Sequence, residues 1–268
     1  MLKFLKYLSS LLLFILVLAF LYHQYSLNKE KKLLTSSIGQ RVEVDGKQMN
    51  VYVAGNGPKT LVFLSGSGTS SPILDFKSLY SKLVKDYRVV VVEKFGYGFS
   101  DDWSKHRDLD TILSQTRKAL QKADVKGPYV LLPHSMSGLE AMHWSASYPK
   151  EVEAIIGLDM SIPQAYDKYR SNRLLYKTLQ LAANLGLSRW LYSPDKEIRS
   201  LSNGSLNPKE KSIYKALFYR CPLSNAVIKE AEEVKSSAKL VKQDKVPAIP
   251  YLLFVSNGQG TGFARKDW

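Results

Sequence analysis

A chain of 268 residues, 45% hydrophobic and 23% charged, has the make-up of one globular domain with an apolar appendage. Its net charge of +14 comes from Lys and Arg scattered without a basic motif or an aromatic-rich binding signature, which argues against nucleic acid and for general attraction to anionic lipid or cell-envelope polymer. The single cysteine, Cys221, excludes an internal disulfide framework and any multi-cysteine metal site, and reads as a buried or half-buried apolar filler.

Lys3 and Lys6 precede residues 7–25, which carry no formal charge apart from a His23 proton and are dense in Leu, Phe, Ile and Val from Leu11 to Leu21. As a helix rising ~1.5 Å per residue this stretch spans roughly 28 Å, close to a hydrocarbon thickness of about 30 Å. Tyr7, Tyr22 and Tyr25 suit the two interfaces. The reading is a single transmembrane pass. A cleaved signal peptide is the rival, but no pair of small residues spaced as in Ala-x-Ala surrounds Ala19, so an uncleaved anchor is favoured. Lys3, Lys6 and the α-amine lie on one side, and Lys29, Lys31 and Lys32 on the other. The lean is towards a cytoplasmic amino terminus and an exported domain. Residues 1–27 are then the anchor and its flank, and the polar, charged residues 28–38 a linker.

From residue 39 apolar runs alternate with helical patterns. Residues 41–44 and 49–54, joined by Asp45-Gly46, predict an antiparallel hairpin. The nearly continuous apolar runs at 60–64, 88–92, 129–132, 154–158 and 251–255 suit strands buried on both faces of a parallel sheet. Helical spacing at 74–85, 110–123 and 137–148 supplies the crossovers. Ser135 falls at one of these strand-to-helix joins, in Leu132-Pro133-His134-Ser135-Met136-Ser137-Gly138, with a small residue two positions to either side. That is the shape of a nucleophile elbow, in which a sharp turn exposes the serine hydroxyl and bulky neighbours would collide with adjacent strands.

Residues 39–160 form the core of this α/β sheet. Residues 161–245 break its alternation; helices are predicted over 166–185, 208–218 and 223–241, with no strong strand pattern between them, so this stretch is predicted to be an inserted helical cap. Residues 246–268 return to the sheet between Pro247 and Pro250 and then stop.

Four motifs in this order, each on its predicted element, make residues 39–257 resemble the α/β-hydrolase family, particularly its serine hydrolases with a helical cap. His134 to Glu140 is similar to the family's Gly-His-Ser-Met-Gly-Gly elbow. Gly66-Ser67-Gly68, after the strand at 61–64, sits where the family has its oxyanion loop. Glu93-Lys94-Phe95-Gly96-Tyr97-Gly98-Phe99-Ser100 resembles its Asp-x-x-Gly-x-Gly-x-Ser turn, and Gly157-Leu158-Asp159 ends the strand after the elbow. The resemblance implies Ser135 as nucleophile, the backbone N–H groups of Met136 and Ser67 as oxyanion donors, and an acid that orients a base. Residues 256–259 contain no carboxylate, which favours Asp159 as that acid, as in the lipase branch that includes pancreatic lipase; an aspartate there can also be a structural loop anchor, and Asp267 is a second candidate.

The base is the open position. The family carries it after a further strand, and this chain stops before one, so a final strand, histidine loop and helix are expected to be missing through an early stop, a frameshift or a split gene. His23 lies in the membrane segment, His134 should point away from Ser135, and His143 lies too far along its helix; only His106 could approach. The expectation is a membrane-anchored hydrolase of an ester, or of an amide or peptide, with its base missing. The alternative is a non-catalytic, membrane-tethered binding protein on the same scaffold. Partners are then a small-molecule or peptide substrate and membrane lipid through the N-terminal helix, without nucleic acid. No metal or organic cofactor is indicated. The cap aromatics Tyr166, Tyr169, Trp190, Tyr192, Tyr214 and Phe218 make the pocket roof partly apolar without naming a substrate.

Overall fold

The computed structural model describes residues 1–258, so Asp267, the second candidate acid, lies outside the described residues. The apolar helix α1 (Leu2–Glu30) runs into a 3-10 turn at Lys31–Leu34. The strands β1 (Gln40–Val44), β2 (Lys47–Ala54) and β3 (Thr60–Leu64) follow, then α2 (Pro72–Asp75), α3 (Lys77–Leu83), β4 (Arg88–Glu93), α4 (Leu109–Lys122), β5 (Tyr129–Ser135), α5 (Ser137–Ser147) and β6 (Val152–Met160). A second 3-10 turn at Pro163–Tyr166 leads to α6 (Arg173–Asn184), α7 (Ser188–Leu191), α8 (Pro194–Glu197), α9 (Arg199–Ser202), α10 (Pro208–Arg220) and α11 (Asn225–Gln243), and β7 (Tyr251–Phe254) closes the series.

The chain divides into two compact units. One joins Met1–Ser36 to Leu174–Leu223, and the other holds Ser37–Arg173 with the described residues from Ser224 to 258. The insert at 161–245 is helical without a strand among the described residues, but its two ends belong to the sheet unit and its middle to the unit of α1. Within the insert, the predicted helix at 166–185 is replaced by a short turn and α6, because Asp167-Lys168-Tyr169-Arg170-Ser171-Asn172 offers no apolar stripe to bury. The later helices carry clear start signals. Asn207 and Glu210 form a capping box on α10, with Pro208 in its first turn, and the Ser224 side chain accepts from the Val227 N–H to cap α11. Cys221 is exposed just past the end of α10 rather than buried, since the helix ends before it and turns it outward.

In the sheet unit, seven strands run in the order β1-β2-β4-β3-β5-β6-β7. The β1/β2 and β2/β4 pairs are antiparallel and the rest parallel. Val44 pairs with Lys47 across Asp45 and Gly46, both at positive φ, so the hairpin closes on the two-residue turn that suits the twist of the flanking strands. Side-chain alternation explains the two layers. Val62, Leu64, Val90, Val92 and Leu131 face α4 and α5, meeting Leu113, Leu120, Ala141 and Trp144, whereas Leu61, Phe63, Val89, Val91 and Leu132 face Ile73 and Tyr80 of α2 and α3. Each fully buried side chain of this kind contributes about 1.5–3 kcal/mol. Among the described residues β7 is the outer strand beyond β6, and Tyr251, Leu252, Leu253 and Phe254 are exposed. The parallel strands point their carboxyl ends to one edge, where loops carry a site in folds of this class.

Candidate active site

β5 ends at Ser135, whose φ of +52° places a non-glycine residue in the left-handed region between a strand and a helix. Such backbone strain costs about 1–3 kcal/mol and persists where the surroundings over-determine it. Here they do. The Ser135 carbonyl accepts from the Ser161 N–H at 2.9 Å. The Ser137 hydroxyl accepts from the His134 N–H at 2.9 Å and donates to the Leu64 carbonyl at 2.7 Å, tying the elbow to the end of β3. The small residues at the join are a matter of space. A Cβ on Gly66 would lie 2.8 Å from the Ser135 Cβ, and one on Gly138 only 2.2 Å from the Ser161 carbonyl oxygen.

The structure therefore brings the loop after β3 onto the elbow. Ser67 is exposed on that loop, and its hydroxyl hydrogen-bonds the Tyr97 hydroxyl; Met136 is half-buried between Ser135 and α5. Asp159 stands near the carboxyl end of β6, whose next residue, Met160, pairs with Ser135. One Asp159 carboxylate oxygen accepts from the Ser256 N–H, just after β7, at 2.8 Å, and its φ is +51°.

All four histidines of the sequence lie among the described residues, and none has a hydrogen bond to Ser135. His106 is exposed, with Asp108 and Glu233 each 3.0 Å from its ring nitrogens. The His134 ring lies against Phe76, centroids 6.3 Å apart, and His23 belongs to α1 in the other unit. His143 is buried between Asp244 at 2.8 Å and Asp110 at 2.9 Å, and so bridges α5, the first turn of α4 and the end of α11. Burial works against its charged form, but the hydrogen bonds to Asp244 and Asp110 outweigh it and raise the pKa above the ordinary 6.5. The stability supplied by this bridge is therefore full below about pH 6.5 and is lost as pH rises through the higher folded value. Urea unfolding in detergent should show the margin of wild type over His143→Gln shrinking as pH rises above about 6.5; a margin that stays constant or grows would contradict the charged bridge.

A second cluster, which no motif marks, lies beside the elbow. Lys94, Arg107, Glu140 and Glu230 are all nearly inaccessible to solvent, at 3%, 1%, 2% and 2%. Lys94 Nζ lies 3.1 Å from Glu230 Oε1 and 3.7 Å from Glu140 Oε2, and the Arg107 guanidinium is 3.7 Å from Glu230. The Thr116 hydroxyl donates to Glu140 at 2.6 Å, and the Tyr97 hydroxyl to Glu230. Burial favours the neutral form of Glu230, but Lys94 and Arg107 hold its pKa below the usual carboxylate range; burial first, and Glu230 second, push the Tyr97 hydroxyl well above its ordinary value. Met136 shares a cavity of about 20 Å³ with these four charged residues. A chain of contacts thus runs from the charges through Tyr97 to Ser67. One signal was available: Ala226, Glu230, Val234 and Ala238 recur at helical spacing, which puts Glu230 in the apolar stripe of α11.

Comparison with known proteins agrees with this architecture. Residues 59–232 match the alpha/beta hydrolase fold family. The chain is 40% identical over 249 residues to the uncharacterized protein YbdG of Bacillus subtilis (strain 168), covering 90% of this chain and 76% of that protein. Among solved structures, the Cif epoxide hydrolase from Acinetobacter nosocomialis matches with a TM-score of 0.63 at 17% identity, over 89% of this chain and 81% of that one. E-2-(acetamidomethylene)succinate hydrolase matches with a TM-score of 0.53 at 18% identity, over 81% and 80%. These two likenesses concern the fold. With a strained serine at the strand-to-helix turn, a seven-stranded sheet in this order and the family match over most of the chain, the protein belongs to the alpha/beta hydrolase fold family, which supports a hydrolase-type function.

Proposed function

We propose that this protein is a membrane-tethered serine hydrolase scaffold in which Ser135 attacks an ester, or an amide or peptide, to form an acyl-enzyme. The Ser135 oxygen would bond to the carbonyl carbon as its proton leaves to a base, and the leaving group would depart with a proton; water would then release the acid. The Met136 and Ser67 N–H groups are the oxyanion donors of this reading, each worth about 10²–10³ in rate, and Asp159 is its orienting acid. The observation that carries it is the left-handed backbone of Ser135 at the strand-to-helix turn, with Gly66 packed against its side chain. The substrate is a small molecule or peptide, and the N-terminal helix meets lipid.

Base catalysis contributes about 10²–10⁴ in such reactions; His23, His106 and His143 are engaged away from Ser135, and the His134 ring lies against Phe76. The chain should therefore turn over an activated ester no faster than its Ser135→Ala variant. Added imidazole, as a soluble base, should raise turnover in the wild type and not in Ser135→Ala. The engaged histidines also favour a second reading, a non-catalytic binding protein on this scaffold. Imidazole that brings no serine-dependent turnover would select it. Turnover without imidazole that disappears in His106→Ala would instead show that His106 moves in as base.

A further inference from the structure

In the unit built on α1, the helix has two kinds of surface. From Phe4 to Leu18 its large apolar residues are almost all exposed, whereas Ala19 and His23 are buried. What buries them is the turn between α6 and α7. A Cβ on Gly186 would lie 2.5 Å from the His23 Cβ and 2.9 Å from the Ala19 carbonyl oxygen, so only glycine permits this approach. Trp190 meets Tyr22 edge-on at 6.2 Å. Arg189 donates to His23 Nδ1 at 2.9 Å, forks onto the Glu30 carboxylate at 2.7 and 2.6 Å, and stacks over Tyr219. These contacts fix α7 at one level of α1, the level at which its apolar run gives way to Tyr22 and the charged residues beyond.

The unit also leaves large apolar side chains uncovered. Trp190 is 66% and Leu191 82% exposed, and on α6 Leu174 is 78% exposed, with Leu175, Leu179 and Leu181 exposed as well. Exposed apolar side chains so grouped mark an interaction surface. The same unit is basic: leaving out Lys3 and Lys6 at the far end of α1, it carries eleven Lys and Arg against four Asp and Glu. Tryptophan and leucine beside basic residues, next to the end of an apolar span, are the composition of an element that lies in the membrane interface.

We propose that the surface formed by Trp190, Leu191 and the exposed leucines of α6 is a second membrane contact, seated in the headgroup region of an anionic bilayer beside α1. It rests on reading α1 as a membrane span. The occupant is lipid rather than protein because the surface continues the lipid-facing part of α1 through the Tyr22–Trp190 contact, and because the unit's charge complements anionic headgroups.

The test reconstitutes the full chain into phosphatidylcholine and phosphatidylglycerol vesicles whose acyl chains are brominated near the headgroup, and compares it with Trp190→Phe. Trp103 and Trp144 are buried in the sheet unit, and with Trp268 changed to Phe in both proteins the lipid-quenched emission of the Trp190-containing chain should be lost in Trp190→Phe, while far-UV circular dichroism stays unchanged. Vesicle-bound protein whose Trp190 emission escapes the bromolipid and stays open to aqueous acrylamide would overturn the proposal. Protection from both quenchers that fades as protein is diluted among lipid would also overturn it, assigning the surface to a second copy of the chain. A chain that fails to float with the vesicles would remove the span itself, a result distinct from the other two.

Discussion

Replacing Glu230 with leucine is expected to destabilise the sheet unit by about 3–5 kcal/mol, the usual cost of breaking a buried ion pair from one side. Leucine fits the apolar stripe of α11, where Val227 and Val234 are already buried, so packing alone would not predict a large loss. The loss comes from Lys94 and Arg107, both buried and both within 4 Å of the Glu230 carboxylate, which would be left without it. Tyr97 would lose its acceptor as well, and with it the constraint passed on to Ser67. Denaturant unfolding should show the destabilisation, and Lys94→Met added to Glu230→Leu should recover part of it, because the second change removes a stranded charge. A Glu230→Leu variant within about 1 kcal/mol of wild type would mean that the buried charges find other partners.

Gly138→Ala is expected to damage the elbow out of proportion to its size. Gly138 sits in the first turn of α5, where alanine is ordinarily the better helix former by about 1 kcal/mol. Its added Cβ, however, would stand 2.2 Å from the Ser161 carbonyl oxygen, and that oxygen is backbone, unable to swing aside. Since the Ser161 N–H is bonded to the Ser135 carbonyl, the strain passes directly to Ser135. Overpacking of this kind costs about 1–3 kcal/mol. Imidazole-dependent ester turnover should fall further, by roughly 10²-fold, because a displacement of about 1 Å at a reacting group has that effect. An alanine variant that keeps wild-type turnover would show that Ser135 is not held by this join.

Local physics made much of the fold legible in the sequence. Nearly continuous apolar runs such as residues 60–64 and 88–92 suit strands buried on both faces of a sheet, and Asp45-Gly46 between two shorter runs leaves a hairpin as the economical connection. Ser135 could be singled out for the same reason. An apolar strand, a serine with small flanking residues and an amphipathic stretch are all local features, and the left-handed backbone at Ser135 is where they meet. The long apolar run of α1 is equally local, since length and composition alone make it able to cross a membrane.

Only tertiary packing decided which charges meet. Lys94 follows a buried strand and Glu230 lies in the stripe of a helix far along the chain, and each is visible as an oddity without any indication that the other answers it. Ion pairing has no periodicity, so its partners are set by how the layers stack. Packing likewise directed His143 to Asp110 and Asp244, and His106 to Asp108 and Glu233. It also divided the insert, giving α11 to the sheet unit and α6 to α10 to the unit of α1. Every one of those helices has an amphipathic or mixed face, and which surface it covers depends on contacts such as Gly186 against Ala19, which exist only once the chain has folded.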